Sequence, residues 1–163
     1  MAEALAKKSA PGRKLLAAAR FLPRLVAGGV FVWFGIQKAL DPVDFLKQIH
    51  AYEFFPEGLW MNWTAAILPW AEIVLGACLV TGIRLRPAAL LSVALLVFFT
   101  AAVFLRGWAL HAETGAALCA VRFDCGCGAG EVWLCRKLAE NGVLLAAALL
   151  VLLWRGAPAR RGP

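Results

Sequence analysis

The fold class predicted by the sequence is all-α: an integral membrane four-helix bundle carrying a short amphipathic outer helix and a cysteine-containing outer loop. Three observations predict it. Of 163 residues, 62% are apolar and 17% charged, against about half and about a quarter in an ordinary soluble domain. Four apolar stretches each approach the length that crosses a hydrocarbon core. The basic residues flank those stretches or lie near their ends. A compact soluble domain of this size could not hide so much hydrocarbon, and so apolar a chain is not disordered. The net charge of +7 is explained by topology, so no nucleic-acid partner is expected.

The stretches cover residues 21–40, 63–83, 87–105 and 138–154. None alternates with period 2, which excludes a membrane barrel, and lipid leaves helices as the way to satisfy the backbone. The first stretch follows Lys7, Lys8, Arg13 and Lys14 but is too long for a cleaved signal. Residues 1–20 are expected to be a mobile basic cytoplasmic tail, 21–154 the transmembrane domain, and 155–163 a second basic cytoplasmic tail. Eleven Lys/Arg fall on the side of the termini and the Arg84–Arg86 turn, and six on the other. The positive-inside rule therefore places both termini in the cytoplasm. The connections at 41–62 and 106–137 then face outward.

In the first outer connection, Asp41 caps a helix start, Pro42 suits its first position and Asp44 its positive pole. Phe45, Ile49 and Tyr52 recur at i, i+4 and i+7, an amphipathic stripe for lying on the membrane or on the bundle. Phe54, Phe55, Trp60 and Trp63 continue an interfacial aromatic belt.

The second outer connection holds Cys119, Cys125, Cys127 and Cys135, while Cys78 lies alone in the second stretch and reads as a small buried residue. On an outward face, disulfides persist. Cys125 and Cys127 straddle Gly126, so a bond between them would close a small, strained ring of the exchangeable kind. Cys119 and Cys135 could staple the loop or resolve a mixed disulfide. Three readings stay open: thiol–disulfide exchange, a structural staple, and a metal or iron–sulfur site. The C-x5-C-x-C-x7-C spacing matches neither zinc pairs nor ferredoxin runs, so no metal is assigned. Four thiols allow three pairings, among which spacing does not choose. His50 and His111 read as interfacial hydrogen-bonding residues.

Glu72 lies well inside the second stretch, one turn after Pro69. A carboxylate there must be paired or protonated, and Lys38, whose stem can reach inward, is the expected partner. The pair is either a lock between the first two helices or a contact for a proton or a quinone-like head group. A quinone is thus the one candidate cofactor. No P-loop, dinucleotide fingerprint, His-Glu-x-x-His helix or hydrolytic constellation is present.

Phe34-Gly35-Ile36-Gln37-Lys38 with Asp41-Pro42, Phe45, Tyr52 and Pro56 resembles the MauE branch of the DoxX-like membrane proteins. Leu68-Pro69-Trp70-Ala71-Glu72 with Gly76 and Gly82 is similar to that superfamily's second-helix signature. Asp124-Cys125-Gly126-Cys127-Gly128 and Glu140-Asn141 are similar to its cysteine loop and fourth-helix entry. The resemblance covers residues 21–154. It implies a multi-pass protein of the bacterial inner membrane, associated with methylamine utilisation. It also implies a thioredoxin-like periplasmic partner and a periplasmic client, such as the disulfide-rich small subunit of an amine dehydrogenase. The family often has Cys-Gly-Cys-Phe-Gly; here Gly128-Ala129-Gly130 follows the pair and Cys135 is additional, which points to a subgroup. The expected function is a membrane-embedded thiol–disulfide relay with Cys125 and Cys127 exchanging. The alternative is a non-catalytic scaffold or assembly factor with inert disulfides, docking its partner through the outer helix.

Overall fold

A computed structural model describes residues 10–52, 58–125 and 130–153, with side chains from residue 21 onward. Cys127, its neighbours Gly126 and Gly128, Phe54, Phe55, Pro56 and both basic ends lie outside the described residues. Five helices are described: α1 (Ala10–Leu40), α2 (Pro42–Ala51), α3 (Leu59–Thr81), α4 (Leu85–Thr114) and α5 (Leu134–Leu153). Between α4 and α5 come a 3-10 turn (Leu118–Ala120) and two short strands, β1 (Arg122–Asp124) and β2 (Glu131–Trp133).

Three boundaries differ from the sequence expectation. The helix α1 begins at Ala10, so residues 10–20 are helical where the sequence suggests a tail. Pro11 is tolerated in a first turn, and the following Lys, Leu and Ala residues are strong helix formers. The helix α4 continues nine residues past its apolar run to Thr114, where Gly115 (φ 67°) closes it by donating its N–H to the His111 carbonyl. The helix α5 starts at Leu134, four residues before its apolar run, so Cys135, Arg136 and Lys137 are helical rather than part of a loop.

The helix α1 packs closely against α3 through glycine. A Cβ at Gly28 would lie 2.7 Å from the Gly76 carbonyl oxygen, and one at Gly35 would lie 2.7 Å from that of Pro69. Small residues allow this approach, and it favours helix pairing where water supplies no driving force. At the far end Arg24 reaches across from α1. Its Nε and Nη2 donate to the carbonyls of Leu79 and Val80, at 3.0 and 3.2 Å. These are the free carbonyls of the last turn of α3.

The short helix α2 begins as its sequence predicts, with Asp41 Oδ1 accepting from the Asp44 N–H at 2.9 Å. Its apolar stripe faces the protein: Phe45 and Ile49 are buried with Met61 and Ala65 of α3. Elsewhere the molecule is apolar outside as well as inside. Leu22, Trp70, Val74, Leu90 and Val143 are each more than half exposed, a density of outward hydrocarbon that soluble monomers avoid. Leu59–Thr81 and Leu85–Thr114 are long and apolar enough to cross a membrane.

Candidate functional site

The site lies where α1, α3, α4, α5 and the cysteine hairpin converge. It is built first by the hairpin. Its antiparallel strands pair Arg122 with Trp133, Phe123 with Val132 and Asp124 with Glu131. Period-2 alternation turns Val121, Phe123 and Cys125 inward, all buried, and leaves Arg122 and Asp124 exposed. The Arg122 guanidinium covers the Trp133 ring at 4.5 Å. Neither strand is expected from the sequence, because three-residue strands carry too little periodicity to register.

The disulfides sort themselves by this geometry. Cys119 is bonded to Cys135, with Cα atoms 5.0 Å apart, tying the 3-10 turn to the first turn of α5. Cys125 is also disulfide-bonded, and Cys78 is a free thiol. Cys127 lies outside the described residues. Among the described residues no cluster of His, Cys, Asp and Glu could hold a metal ion.

Two polar contacts hold the hairpin to α2. The Tyr52 hydroxyl donates to the Cys125 carbonyl at 2.8 Å. Gln48 Nε2 donates to Asp44 at 2.7 Å and to Asp124 at 3.2 Å. Burial, and then the charge of Asp124, push the Tyr52 phenol pKa up, with Arg106 opposing. The phenol is therefore neutral and a donor at ordinary pH. Spacing alone suggests only an apolar role for Tyr52 and none for Gln48. His111 acts locally, its Nδ1–H donating to the Ala116 carbonyl at 2.6 Å and securing the turn after α4.

Beneath Cys125 is a cavity of about 110 Å³. Its walls are mostly apolar, with Phe31, Phe34, Phe45, Phe99 and Leu144 among them; Cys125 and Tyr52 also line it. Four buried polar side chains also line it: Lys38, Glu72, Lys137 and Asn141, each no more than 6% exposed. Lys38 Nζ donates to Glu72 Oε1 at 2.5 Å. The same ammonium lies 5.3 Å from the Phe45 ring centre and 5.0 Å from that of Phe99, so two ring faces and one carboxylate replace its hydration. Glu72 Oε2 is buried and has no hydrogen-bond partner among the described residues.

Lys137 enters this cavity from α5, with Nζ 4.8 Å from the Phe34 ring centre and 3.9 Å from Glu140 Oε2. Counting charges by side assigns it instead to the outer rim. A signal for its inward position exists, because the buried residues of α5 are Leu134, Lys137, Asn141, Leu144, Ala148 and Val151. They alternate in steps of three and four, the stripe of a helix facing a bundle. Two ammonium groups and one carboxylate thus share the cavity, so an oxygen-rich guest finds more donors than acceptors there.

A family model described as "Methylamine utilisation protein MauE" matches residues 14–155. No curated protein and no solved structure matches the chain.

Proposed function

Since the chain belongs to the MauE family and is a membrane protein, we propose that it is a thiol–disulfide relay serving methylamine utilisation. Cys125 and Cys127 are its exchanging pair, and Cys119 and Cys135 form the staple that holds the hairpin against α5. The observation that carries this reading is the division of labour among the sulfurs. The Cys119–Cys135 bond closes a loop between two elements, whereas the disulfide-bonded Cys125 lines a largely apolar cavity that also holds buried polar side chains, its carbonyl bonded by Tyr52. A relay needs its second disulfide beside a path for electrons, and a plain staple does not.

In this reading the chain crosses the bacterial inner membrane four times with both termini in the cytoplasm, and the hairpin faces the periplasm. There a thioredoxin-like protein exchanges disulfides with it and passes the oxidation to a client such as an amine dehydrogenase subunit. The exchange balances: the partner dithiol loses two electrons and two protons as the Cys125–Cys127 bond is reduced to two thiols. Lys38 and Glu72 hold the helix core below. The scaffold alternative would have to dock its partner through the outward face of α2, since Phe45 and Ile49 pack against Met61 and Ala65 of α3.

The test is a Cys125→Ser/Cys127→Ser variant in cells that mature a disulfide-dependent client. Loss of client maturation is expected, with Cys127→Ser alone trapping a mixed disulfide on Cys125. Maturation at the parental level in the double variant would sink the relay. Orientation is checked separately, by a cysteine inserted near Ala159, which should resist labelling by a membrane-impermeant maleimide in intact cells.

A further inference from the structure

We infer that the Cys119–Cys135 bond is more than a staple: it is the disulfide that an external protein dithiol meets first, by attack on Cys119 with Cys135 as the leaving sulfur, and its opening uncovers Cys125. Only the uncovering of Cys125 rests on the relay reading. Access and charge each support the assignment.

Access separates the sulfurs. A disulfide exchanges only where a thiolate can reach one of its sulfurs. Cys119 is exposed and belongs to a 3-10 turn with no buried residue. The exposed residues Ala117 and Ala120 on either side offer only methyl groups as cover. Cys125 is 8% exposed. It packs with Val103, Val121, Phe123 and Leu134, and its carbonyl accepts from Tyr52. The staple clamps that cluster. Val121 follows Cys119 by two residues and Leu134 precedes Cys135 by one, and the Leu134 N–H donates to the Val121 carbonyl at 3.1 Å. A partner thiolate therefore reaches Cys119 first, and Cys125 only after the clamp has loosened.

Charge selects the leaving sulfur. Cys135 lies in the first turn of α5, which holds no acidic residue and instead has Arg136 and Lys137 beside it. Cations at that end oppose the helix dipole, and a thiolate on Cys135 supplies the anion that such a turn lacks. Glu140, one turn further on, pairs with Arg136 at 2.9 Å. Arg122 stacks on Trp133 at the end of the hairpin next to Cys135, whereas Asp124 and Glu131 face each other at the opposite end. The end that carries the disulfide is thus cationic. It attracts an incoming thiolate and favours a departing one, which speeds exchange.

The step balances. One partner thiolate bonds to Cys119 Sγ as the bond to Cys135 Sγ breaks, and Cys135 leaves as a thiolate and takes up a proton. The partner's second thiol then displaces Cys119. The dithiol has lost two electrons and two protons and become a disulfide, and two cysteine thiols have formed.

The experiment uses the full chain in lipid nanodiscs, with dithiothreitol and reduced thioredoxin as dithiol probes. Samples taken at intervals are quenched with acid, alkylated with N-ethylmaleimide and mapped by mass spectrometry. Cys119 and Cys135 should become alkylatable roughly tenfold faster than Cys125, the consequence of unequal access. A thioredoxin variant lacking its second active-site cysteine should be captured on Cys119. Arg136→Glu should slow opening about two- to fivefold, the scale of one charge at a helix N-terminus, whereas Glu140→Gln breaks the same ion pair and should not slow it. In Cys119→Ser/Cys135→Ser the Cys125 disulfide should be reduced faster than in the parent. Opening of the Cys125 disulfide before or together with Cys119–Cys135 in the parent chain overturns the inference. So does capture on Cys135 or Cys125, an Arg136→Glu rate equal to the parent's, or a Cys125 rate unchanged by removing the staple. Client maturation by Cys125→Ser/Cys127→Ser is scored in parallel. If it fails there while Cys119–Cys135 is the last bond to open, the relay stands and the outer exchange site falls. If Cys119–Cys135 opens first and the double variant still matures the client, the relay falls and the outer exchange site stands.

Discussion

Removing the Glu72 carboxylate while leaving Lys38 should cost far more than removing both. The two side chains are 4% and 7% exposed and meet at 2.5 Å. Glu72→Ala would strand an ammonium between the rings of Phe45 and Phe99 with no counter-charge at bonding distance among the described residues. Breaking a buried pair in this way costs about 3–5 kcal/mol, because a desolvated charge is left uncompensated. In a chain of this length each kcal/mol moves the melting temperature by about 2–4 °C, so a fall of roughly 6–20 °C is expected. The double variant Lys38→Met/Glu72→Leu removes both charges and keeps most of the volume. Such replacements are commonly neutral, or stabilising by about 1–4 kcal/mol. Lys137 then keeps Glu140, 3.9 Å away. The assay is thermal unfolding of the purified chain in one detergent, followed by circular dichroism, for parent, single and double variants. A double variant as unstable as the single one, or a single variant within about 1 kcal/mol of the parent, would refute the argument that desolvation of a paired charge governs this cavity.

Other predictions follow from neighbouring contacts. Cys135→Ser opens the loop between Cys119 and Cys135, whose sequence separation is 16, and should cost about 3 kcal/mol by loop entropy, read as a lower melting temperature than the parent's under oxidising conditions. Gly76→Val places a Cβ against the Gly28 carbonyl and should destabilise by about 1–3 kcal/mol through overpacking, visible in the same melt. Tyr52→Phe removes the bond to the Cys125 carbonyl, with about 0.5–1.5 kcal/mol expected, and should speed hydrogen exchange in the hairpin. The Tyr52 pKa also sets a pH dependence. The folded phenol holds its proton above the unfolded value of about 10. Its contribution is therefore complete below pH 10 and is lost as pH rises further, by at most about 1.4 kcal/mol per pH unit. Tyr52→Phe should flatten that part of the stability profile relative to the parent, and an unchanged slope would remove Tyr52 as its cause.

What the sequence determined by itself is the environment and the kind of element. Runs such as residues 63–83 and 87–105 announce apolar helices, because hydropathy adds up along the chain and needs no partner. Asp41-Pro42 marks the start of α2 for the same reason, since a cap is satisfied within four residues. Glu72 and Lys38 are conspicuous as charges in or beside hydrocarbon. Helix ends set by polar residues were less legible: α4 carries Arg106, Trp108 and His111 beyond its apolar run, and hydropathy stops counting before hydrogen bonding does.

Only the tertiary structure decided which distant groups meet. Cys119 joining Cys135, Tyr52 gripping Cys125, Lys137 turning inward and the cavity that Tyr52, Cys125 and Lys137 line all depend on the rotation of one helix against another. That rotation is set by close approaches such as Gly28 on Gly76, between residues 48 positions apart in the chain. A local pattern constrains each helix's face but not the face it will find opposite. The site therefore emerges from packing, where a few ångströms of interhelical distance separate a filled core from a room for a guest.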